Sequence, residues 1–341
     1  MATNEILPFA QGGGANVQSQ IDYAAEPLRS SGNVAGIARS NVNNKALRQA
    51  SVLAAGLAQF MADNQSNNIV DTASIANLAA WLGDAVRAAN NAATVIGTSR
   101  NASMYNSEAS ATGTFTCDEL IVGASIGGRQ WRLSSLSLPI NLGTTGAGGM
   151  DTGLAPVSGY VALYVIYNPS TNTASMLAQN TTSTRATEVY SGSNMPAGYT
   201  ASALVAVLPT NASRQIVRHV LRDRRVAIEG VNVLTSSTQR PSATSLSISS
   251  GVPINARTAR IAMNIGSSVA VSAFALNIGS DVNMIGASGV GSTITSGTVN
   301  PALTVTSDVV IVASTPQTIY YTATVSAGTM SLNLFVSGYE F

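Results

Sequence analysis

Two stretches near the N-terminus carry apolar side chains at the spacing of a helix. In residues 45–64 and again in residues 72–90, apolar positions are separated alternately by four and three residues, which is a short heptad stripe. The stripes are Ala46, Ala50, Leu53, Leu57 and Phe60, and then Ile75, Leu78, Leu82, Ala85 and Ala89. The pattern predicts a hairpin of two helices that cannot bury both of its stripes alone.

Packing of three copies about a common axis would bury these stripes. The first stripe is rich in alanine, so three helix backbones could approach closely. The residues predicted to form this trimer interface are Leu53, Leu57, Phe60, Ile75, Leu78 and Leu82. The alternative is a monomeric hairpin that packs against the rest of the chain.

From about residue 100 onward, short apolar segments alternate with Gly, Asn, Ser and Pro, which is typical of antiparallel β-structure. Residues 160–167 read Tyr-Val-Ala-Leu-Tyr-Val-Ile-Tyr, and so apolar a run predicts a strand buried on both faces. From residue 229, predicted strands recur roughly every ten residues, which favours a β-sandwich or jelly roll. Residues 286–298, rich in Gly, Ser and Thr, are predicted to form its longest loop.

These patterns predict a mainly β protein with an N-terminal α-helical segment, an antiparallel β-domain and a C-terminal β-sandwich or jelly-roll-like domain. We expect an extended arm in residues 1–44 and the helical hairpin or short coiled coil in residues 45–100. The middle β-domain would span residues 101–228. The C-terminal β-sandwich would span residues 229–341.

Composition narrows the classes of function. Charged residues make up 10% of the chain, against about 25% in an average globular protein. A surface built from Ser, Thr, Asn and Gly is common in extracellular β-structured fibres. The net charge of +1 gives no field that would attract nucleic acid or an anionic membrane, and no apolar run predicts membrane insertion.

The number of cysteines and the N-terminal sequence indicate the cellular compartment in which the chain is made. Cys117 is the only cysteine, so an intrachain disulfide and a cysteine-based metal site are excluded. The N-terminal residues lack the basic and apolar regions of a secretory signal. We therefore expect synthesis in a cytoplasm, with any extracellular role reached as part of a particle released by lysis. No cofactor and no metal are predicted.

Two constellations could carry catalysis. Residues 123–127 match the G-x-S-x-G nucleophile pattern around Ser125, but a strand-like segment follows where a helix is needed. A turn between two strands is the favoured interpretation, since His219 is the only histidine available as a base. Asp281 and Asp308 are the candidate pair of carboxylates for glycan cleavage.

Five arginines cluster in residues 214–225: Arg214, Arg218, Arg222, Arg224 and Arg225. They could hold anionic phosphate groups through bidentate contacts. The favoured interpretation is pairing between chains, with Glu188, Asp223 or Glu229 as partners.

Several strings of residues resemble those of tail fibre proteins from tailed bacteriophages. Near the N-terminus they are 1–10 (MATNEILPFA), 12–17 (GGGANV), Tyr23, 36–40 (GIARS) and 48–60 (RQASVLAAGLAQF). Further along they are 159–169 (GYVALYVIYNP), 194–204 (NMPAGYTASAL) and 222–226 (RDRRV). The resemblance runs, with gaps, from residue 1 to about residue 228.

The resemblance implies a homotrimeric receptor-binding protein of the virion tail. Its N-terminal region would attach to baseplate or tail proteins, and we expect Leu7, Pro8 and Phe9 to form the apolar anchor. The C-terminal domain would bind a glycan, a pilus or an outer-membrane protein on the bacterial surface. Residues with which it could do so are Tyr320, Tyr321, Ser288, Ser292 and Thr293.

Two other functions remain open from the sequence. A structural baseplate subunit or adaptor would use the C-terminal domain to carry another receptor-binding protein. A glycan-cleaving tail enzyme would need the carboxylate pair proposed above.

Overall fold

The computed structural model describes residues 2–33, 35–90, 95–293, 298–299 and 302–341. It divides the chain into two compact units, Met1–Ala93 and Thr94–Phe341, called here the helical unit and the β unit. The protein is mainly β, with helices at the N-terminus and antiparallel sheets after them, as predicted.

The helical unit contains both predicted long helices and two short ones. They are α1 (Gln20–Ala24), α2 (Leu28–Ser31), α3 (Ser40–Asn64) and α4 (Ile75–Asn90). Helix α3 therefore begins within the predicted arm, which also contains α1 and α2. A small core forms where α4 packs on the C-terminal part of α3. Its buried residues are Ala58, Met61, Ala62, Ile69 and Ala85.

The first residues fold back on the same chain instead of extending freely. The backbone N–H of Glu5 donates to the carbonyl of Ile69 at 2.8 Å, and the N–H of Ile69 donates to the carbonyl of Thr3 at 2.8 Å. Further along, the N–H of Phe9 donates to Ser51 Oγ at 2.8 Å. The arm thus lies along α3, with its backbone donors satisfied by that helix and by the segment that follows it.

Seventeen strands lie within the described part of the β unit. The first nine are β1 (Ser99–Arg100), β2 (Ser103–Asn106), β3 (Thr112–Gly123), β4 (Gln130–Asn141), β5 (Gly149–Met150), β6 (Tyr160–Asn168), β7 (Thr173–Asn180), β8 (Ala201–Pro209) and β9 (His219–Arg222). The last eight are β10 (Arg225–Ser236), β11 (Arg240–Ser247), β12 (Thr258–Ser267), β13 (Ala273–Gly279), β14 (Ser288–Thr293), β15 (Ala302–Val310), β16 (Thr318–Val325) and β17 (Met330–Glu340).

The last eight strands form a jelly roll. One sheet has the order β10-β17-β12-β15, and the second has the order β11-β16-β13-β14. Counted from one to eight along the chain, the sheets read 1-8-3-6 and 2-7-4-5, which is the strand order of a jelly roll. The predicted C-terminal fold class is therefore confirmed. We call the two sheets the β10 sheet and the β11 sheet.

The β10 sheet continues into the earlier strands because β10 also pairs with β9. The predicted boundary between residues 228 and 229 consequently falls inside a strand. Central in the earlier region is β6, whose residues from Tyr160 to Tyr167 are all buried, as the apolar run predicted. Tyr339 Oη at the end of β17 donates to the carbonyl of Val207 at 2.6 Å, so that end of the jelly roll packs on β8.

The prediction of a loop in residues 286–298 is wrong in its first half, because that half contains β14. Glycine is unfavourable in strands, but here it permits pairing with β13. A Cβ on Gly289 would lie 2.0 Å from the carbonyl oxygen of Leu276, so only glycine allows this approach. Residues 294–297 of that prediction lie outside the described residues.

Candidate functional site

The predicted anchor lies on the surface of the helical unit. Leu7, Pro8 and Phe9 are all exposed, although the backbone of Phe9 is held by Ser51 of α3. Two large apolar side chains are thus presented to solvent by a backbone that is already fixed. Such a surface loses little further backbone entropy when it binds a partner.

The six predicted trimer-interface residues separate into two groups. Phe60, Leu78 and Leu82 pack on the core of the helical unit within one chain. Leu53, Leu57 and Ile75 are exposed, with 76%, 44% and 87% of their surface accessible to solvent. The structure therefore assigns half of the predicted interface to the chain's own core.

The exposed leucines belong to a stripe on one side of α3. Ala46, Ala50, Leu53 and Leu57 are all exposed, and we call them the α3 stripe. The arm contacts the other side of the helix, where the side chain of Asn4 donates to the carbonyl of Ala55 at 3.3 Å. Because residues two apart point to different sides of a helix, the arm leaves the α3 stripe uncovered.

The two predicted receptor-binding tyrosines point in opposite directions from β16. Tyr321 is 4% exposed and belongs to the core of the β unit, so it cannot contact a receptor in the folded protein. Tyr320 lies on the outer face of the β11 sheet, paired with Gly279 on one side and Ser245 on the other. The alternation of side chains along a strand explains why only one of two neighbours is available.

The other three predicted receptor residues lie on β14, the edge strand of the β11 sheet. Ser288 is half-buried, and it accepts a hydrogen bond from Ser307 Oγ at 2.7 Å. Ser292 and Thr293 are exposed. Tyr320 lies on β16, and β13 separates that strand from β14, so these four residues do not form one cluster.

A more coherent exposed surface lies at the end of the jelly roll opposite Tyr339. It is made by the loops 237–239, 268–272 and 326–329, which we call the distal loops. Hydrogen bonds join the second and third loops, among them Ser268 N–H to the carbonyl of Thr329 at 3.0 Å and Ser272 N–H to Ser326 Oγ at 3.0 Å. In the first loop, Gln239 Oε1 accepts a hydrogen bond from the N–H of Val325 at the end of β16 at 3.1 Å. Their sequences contain no charged residue.

Val269 is the large apolar side chain at the surface of the distal loops, and 47% of it is exposed. The sequence does not reveal this surface, because its pattern predicts one strand over residues 269–277, whereas β13 begins only at Ala273. The Ser-Ser-Val-Ala-Val-Ser composition around Val269 has β propensity. The predicted β-sandwich could have indicated this surface, because the loops at one end of such a fold cluster in space and carry binding sites in many proteins.

The arginine cluster makes its ion pairs within the chain, so pairing between chains is not needed to explain it. Arg224 forms two hydrogen bonds to the carboxylate of Glu188, one of them 2.9 Å long. Arg218 pairs with Glu229 at 3.1 Å. Asp223, the third predicted partner, instead accepts a hydrogen bond from the N–H of Ala102 at 3.2 Å.

Ser125 lies in the turn between β3 and β4, where the N–H of Gly128 donates to its carbonyl at 2.9 Å. This confirms the favoured interpretation of the G-x-S-x-G match. His219 is buried on β9, and its Nδ1 is 2.9 Å from the carbonyl of Val217. Burial lowers the pKa of His219, although this hydrogen bond opposes the shift.

The two aspartates proposed for glycan cleavage have separate structural contacts. Asp281 Oδ1 accepts hydrogen bonds from the N–H groups of Asn283 and Ile285, both at 3.0 Å, and so closes the loop after β13. Asp308 lies on β15, 3.8 Å from Arg225. Across the described ranges, no group of three His, Cys, Asp or Glu side chains could hold a metal ion, and no helix is long and apolar enough to span a membrane.

Comparison of the chain with protein-family models and with curated proteins finds no match.

Proposed function

We propose that this protein is a trimeric tail fibre of a tailed bacteriophage, in which the helical unit attaches to the tail and the jelly roll binds the bacterial surface. The observation that carries the proposal is that the two units of the chain expose surfaces of different kinds. One unit ends in an exposed, uncharged set of loops on a well-packed jelly roll. The other unit leaves two apolar surfaces, the α3 stripe and the anchor, open to partners.

The α3 stripe supports three-fold association. Its four residues have the a and d spacing of a coiled coil, and two of them are alanine, which allows close approach of helices. An apolar stripe of this kind costs free energy when it faces water. Burial of Leu53 and Leu57 against two other copies would recover about 1.5–3 kcal/mol for each leucine.

The anchor supports attachment of the N-terminal region to a tail protein. Leu7 and Phe9 project from a backbone fixed on α3, so an apolar cavity in the partner could receive them without unfolding the arm. Aromatic and large aliphatic side chains that fill pockets dominate the energy of many interfaces.

The distal loops support reversible binding to a cell surface. A surface without charge binds by hydrogen bonds and apolar contact, and salt screens such contacts little. Three such surfaces on one fibre would raise the apparent affinity by a factor of about 10² or more, since the second contact becomes intramolecular.

The direct test is binding of the purified full chain to a panel of bacterial cells. A fluorophore can be placed at Lys45, the only lysine, which lies on α3 outside the jelly roll. We expect saturable binding to some strains, and loss of about tenfold or more in apparent affinity when Val269 becomes arginine.

Val282→Arg is the matched control, since Val282 is also an exposed valine in a jelly-roll loop but lies outside the distal loops. Equal loss in both variants would reject the distal loops as the binding surface. Absence of binding to every strain, with capture of phage tail proteins by both ends of the chain, would favour the structural adaptor instead.

A further inference from the structure

The outer face of the β10 sheet contains a charged trough of about 450 Å³, away from the distal loops. Direct cross-strand pairs place its residues on one face. Arg225 of β10 is paired with Glu340 of β17, and Glu340 with Thr258 of β12. In the next row, Gly338 is paired with Arg260, and Arg260 with Asp308.

Glycine forms the floor of this trough. Gly338 lies on the central strand β17, and a Cβ there would be 2.6 Å from the carbonyl oxygen of Val226. Its neighbour in the row on β10 is Ala227, which is also small. The floor is therefore low, while long polar side chains from β10, β12, β15 and β17 surround it.

Two of the four charged side chains remain without a partner. Arg225 and Asp308 approach to 3.8 Å, a long and solvent-exposed pair of little energetic consequence. Among the described residues, neither the guanidinium of Arg260 nor the carboxylate of Glu340 has an ion-pair or hydrogen-bond partner. Both groups line the trough, where they can bond to a ligand.

The donor and acceptor groups define the chemistry of a suitable ligand. Two guanidinium groups donate and two carboxylates accept, and the four charges sum to zero. A simple anion would meet the carboxylates, and a simple cation would meet the guanidinium groups. Hydroxyl groups both donate and accept, so adjacent hydroxyls on a neutral ring can satisfy both sets.

We propose that this trough binds a neutral saccharide. The volume lies within the range of small-molecule clefts, about 300–1,000 Å³. Arg260 and Glu340 would supply charge-assisted hydrogen bonds to adjacent hydroxyls, which are stronger than bonds between neutral groups. The inference rests on the proposed function only for its biological setting, because the binding itself is a property of one jelly roll.

The test is saturation-transfer NMR of the full-length protein with glucose, galactose, mannose and N-acetylglucosamine as probes. We expect at least one of them to bind with a Kd on the order of 1 mM, the affinity of a small polar ligand. Arg260→Ala and Glu340→Ala should each weaken binding about tenfold, because each removes a charge-assisted bond. Neither change should lower the melting temperature, as neither side chain has a partner in the fold.

Arg222→Ala is the control: Arg222 is on the same face, paired with Arg225, but does not line the trough. It should leave binding unchanged. Absence of binding by all four sugars, or equal binding by the Arg260 and Glu340 variants, would overturn the inference. Preferential binding of glucuronate or inorganic phosphate would also overturn it, in favour of an anion site. Loss of saccharide binding in both variants while cell binding persists would support the trough as a site separate from the distal loops, and the proposed function would stand.

Discussion

The helical unit and the β unit bury apolar surface in very different amounts. In the β unit, every residue from Tyr160 to Tyr167 is buried, and one continuous cluster includes residues of nearly every strand. In the described part of the helical unit, the buried cluster has five residues, three of them alanine, while Leu53, Leu57 and Ile75 face solvent. Both units come from one chain with few charges, so composition alone does not explain the contrast.

If the protein is the proposed trimer, this difference predicts which of the two units depends on association. A unit of the size of the β unit can form a sufficient core, whereas small units often rely on association. Helical stability in proteins comes mostly from packing of the apolar face, and here much of that face is unpaired. We infer that the β unit is stable as one copy and that the helical unit gains its stability from association.

The two tryptophans allow the units to be followed separately. Trp81 packs against the core of the helical unit, and Trp131 packs against the core of the β unit. Trp131→Phe therefore leaves fluorescence that reports the helical unit, and Trp81→Phe leaves fluorescence that reports the β unit. Denaturant unfolding of these two proteins is the assay for the predictions that follow.

The largest effect is expected from Leu163→Ala in the β unit. Leu163 is fully buried on β6, and truncation of such a leucine lowers the free energy of unfolding by about 2–5 kcal/mol. The Trp131 signal should register this loss. Leu154→Ala is the control, since Leu154 is exposed and its truncation should change stability by less than about 0.5 kcal/mol. Similar losses in both would mean that the packing around β6 is not as described.

The next effect is expected from Leu53→Glu combined with Leu57→Glu on the α3 stripe. If association buries both side chains, the free energy of unfolding reported by Trp81 should fall by about 3 kcal/mol or more. The free energy of unfolding reported by Trp131 should not change. Val52→Glu, on another side of α3, should shift neither. An unchanged Trp81 transition in the double variant would remove the α3 stripe as an interface.

Glu188→Gln tests the ion pairs that join loops of the β unit. Glu188 accepts from Arg224 and also lies 3.4 Å from Arg257. Because the carboxylate is only partly exposed, loss of its charge should lower the free energy of unfolding of the β unit by about 1 kcal/mol. The fluorescence of Trp131 measures this change. Glu229→Gln breaks the pair with Arg218, in which both side chains are more than half exposed, and should cost at most about 0.5 kcal/mol. A larger cost for Glu229→Gln would contradict this order.

The smallest effect concerns pH. Burial lowers the pKa of His219 below its ordinary value of 6.5, so the unfolded chain binds this proton more readily than the folded protein. The stabilisation from neutral His219 is therefore complete above pH 6.5 and is lost as pH falls below that value. His219→Asn, whose amide can still donate to the carbonyl of Val217, should reduce the loss of β-unit stability between about pH 7.5 and about pH 5.5. An identical pH profile in the variant would exclude this residue as the cause.

Local patterns in the sequence predicted much of the β fold. The apolar run of β6 was sufficient to predict a strand buried on both faces, and the regular strand spacing after residue 229 was sufficient to predict a β-sandwich or jelly roll, because alternation and turn residues act over short distances. The strand β14 was missed because glycine has poor strand propensity. Glycine is needed at position 289 because the carbonyl of Leu276 on the neighbouring strand comes too close for a side chain. That contact cannot be read from residues 288–293 alone.

Long-range contacts explain the other differences at the candidate sites. The arm was predicted to extend because nothing near Glu5 indicates its pairing with Ile69. The heptad stripe of α3 was predicted as one interface, but Phe60 packs on the core of the helical unit while Leu53 is exposed. The distal loops and the charged trough each combine residues from distant strands, so only the topology brings them together.

The most direct test of the account is the mass of the full-length protein in solution by light scattering at micromolar concentration. We predict a mass three times the 34.8 kDa of one chain, with a return towards the single-chain mass in the Leu53→Glu, Leu57→Glu variant. A wild-type mass of one chain, with both tryptophan transitions intact, would contradict the claim that the helical unit is stabilised by association.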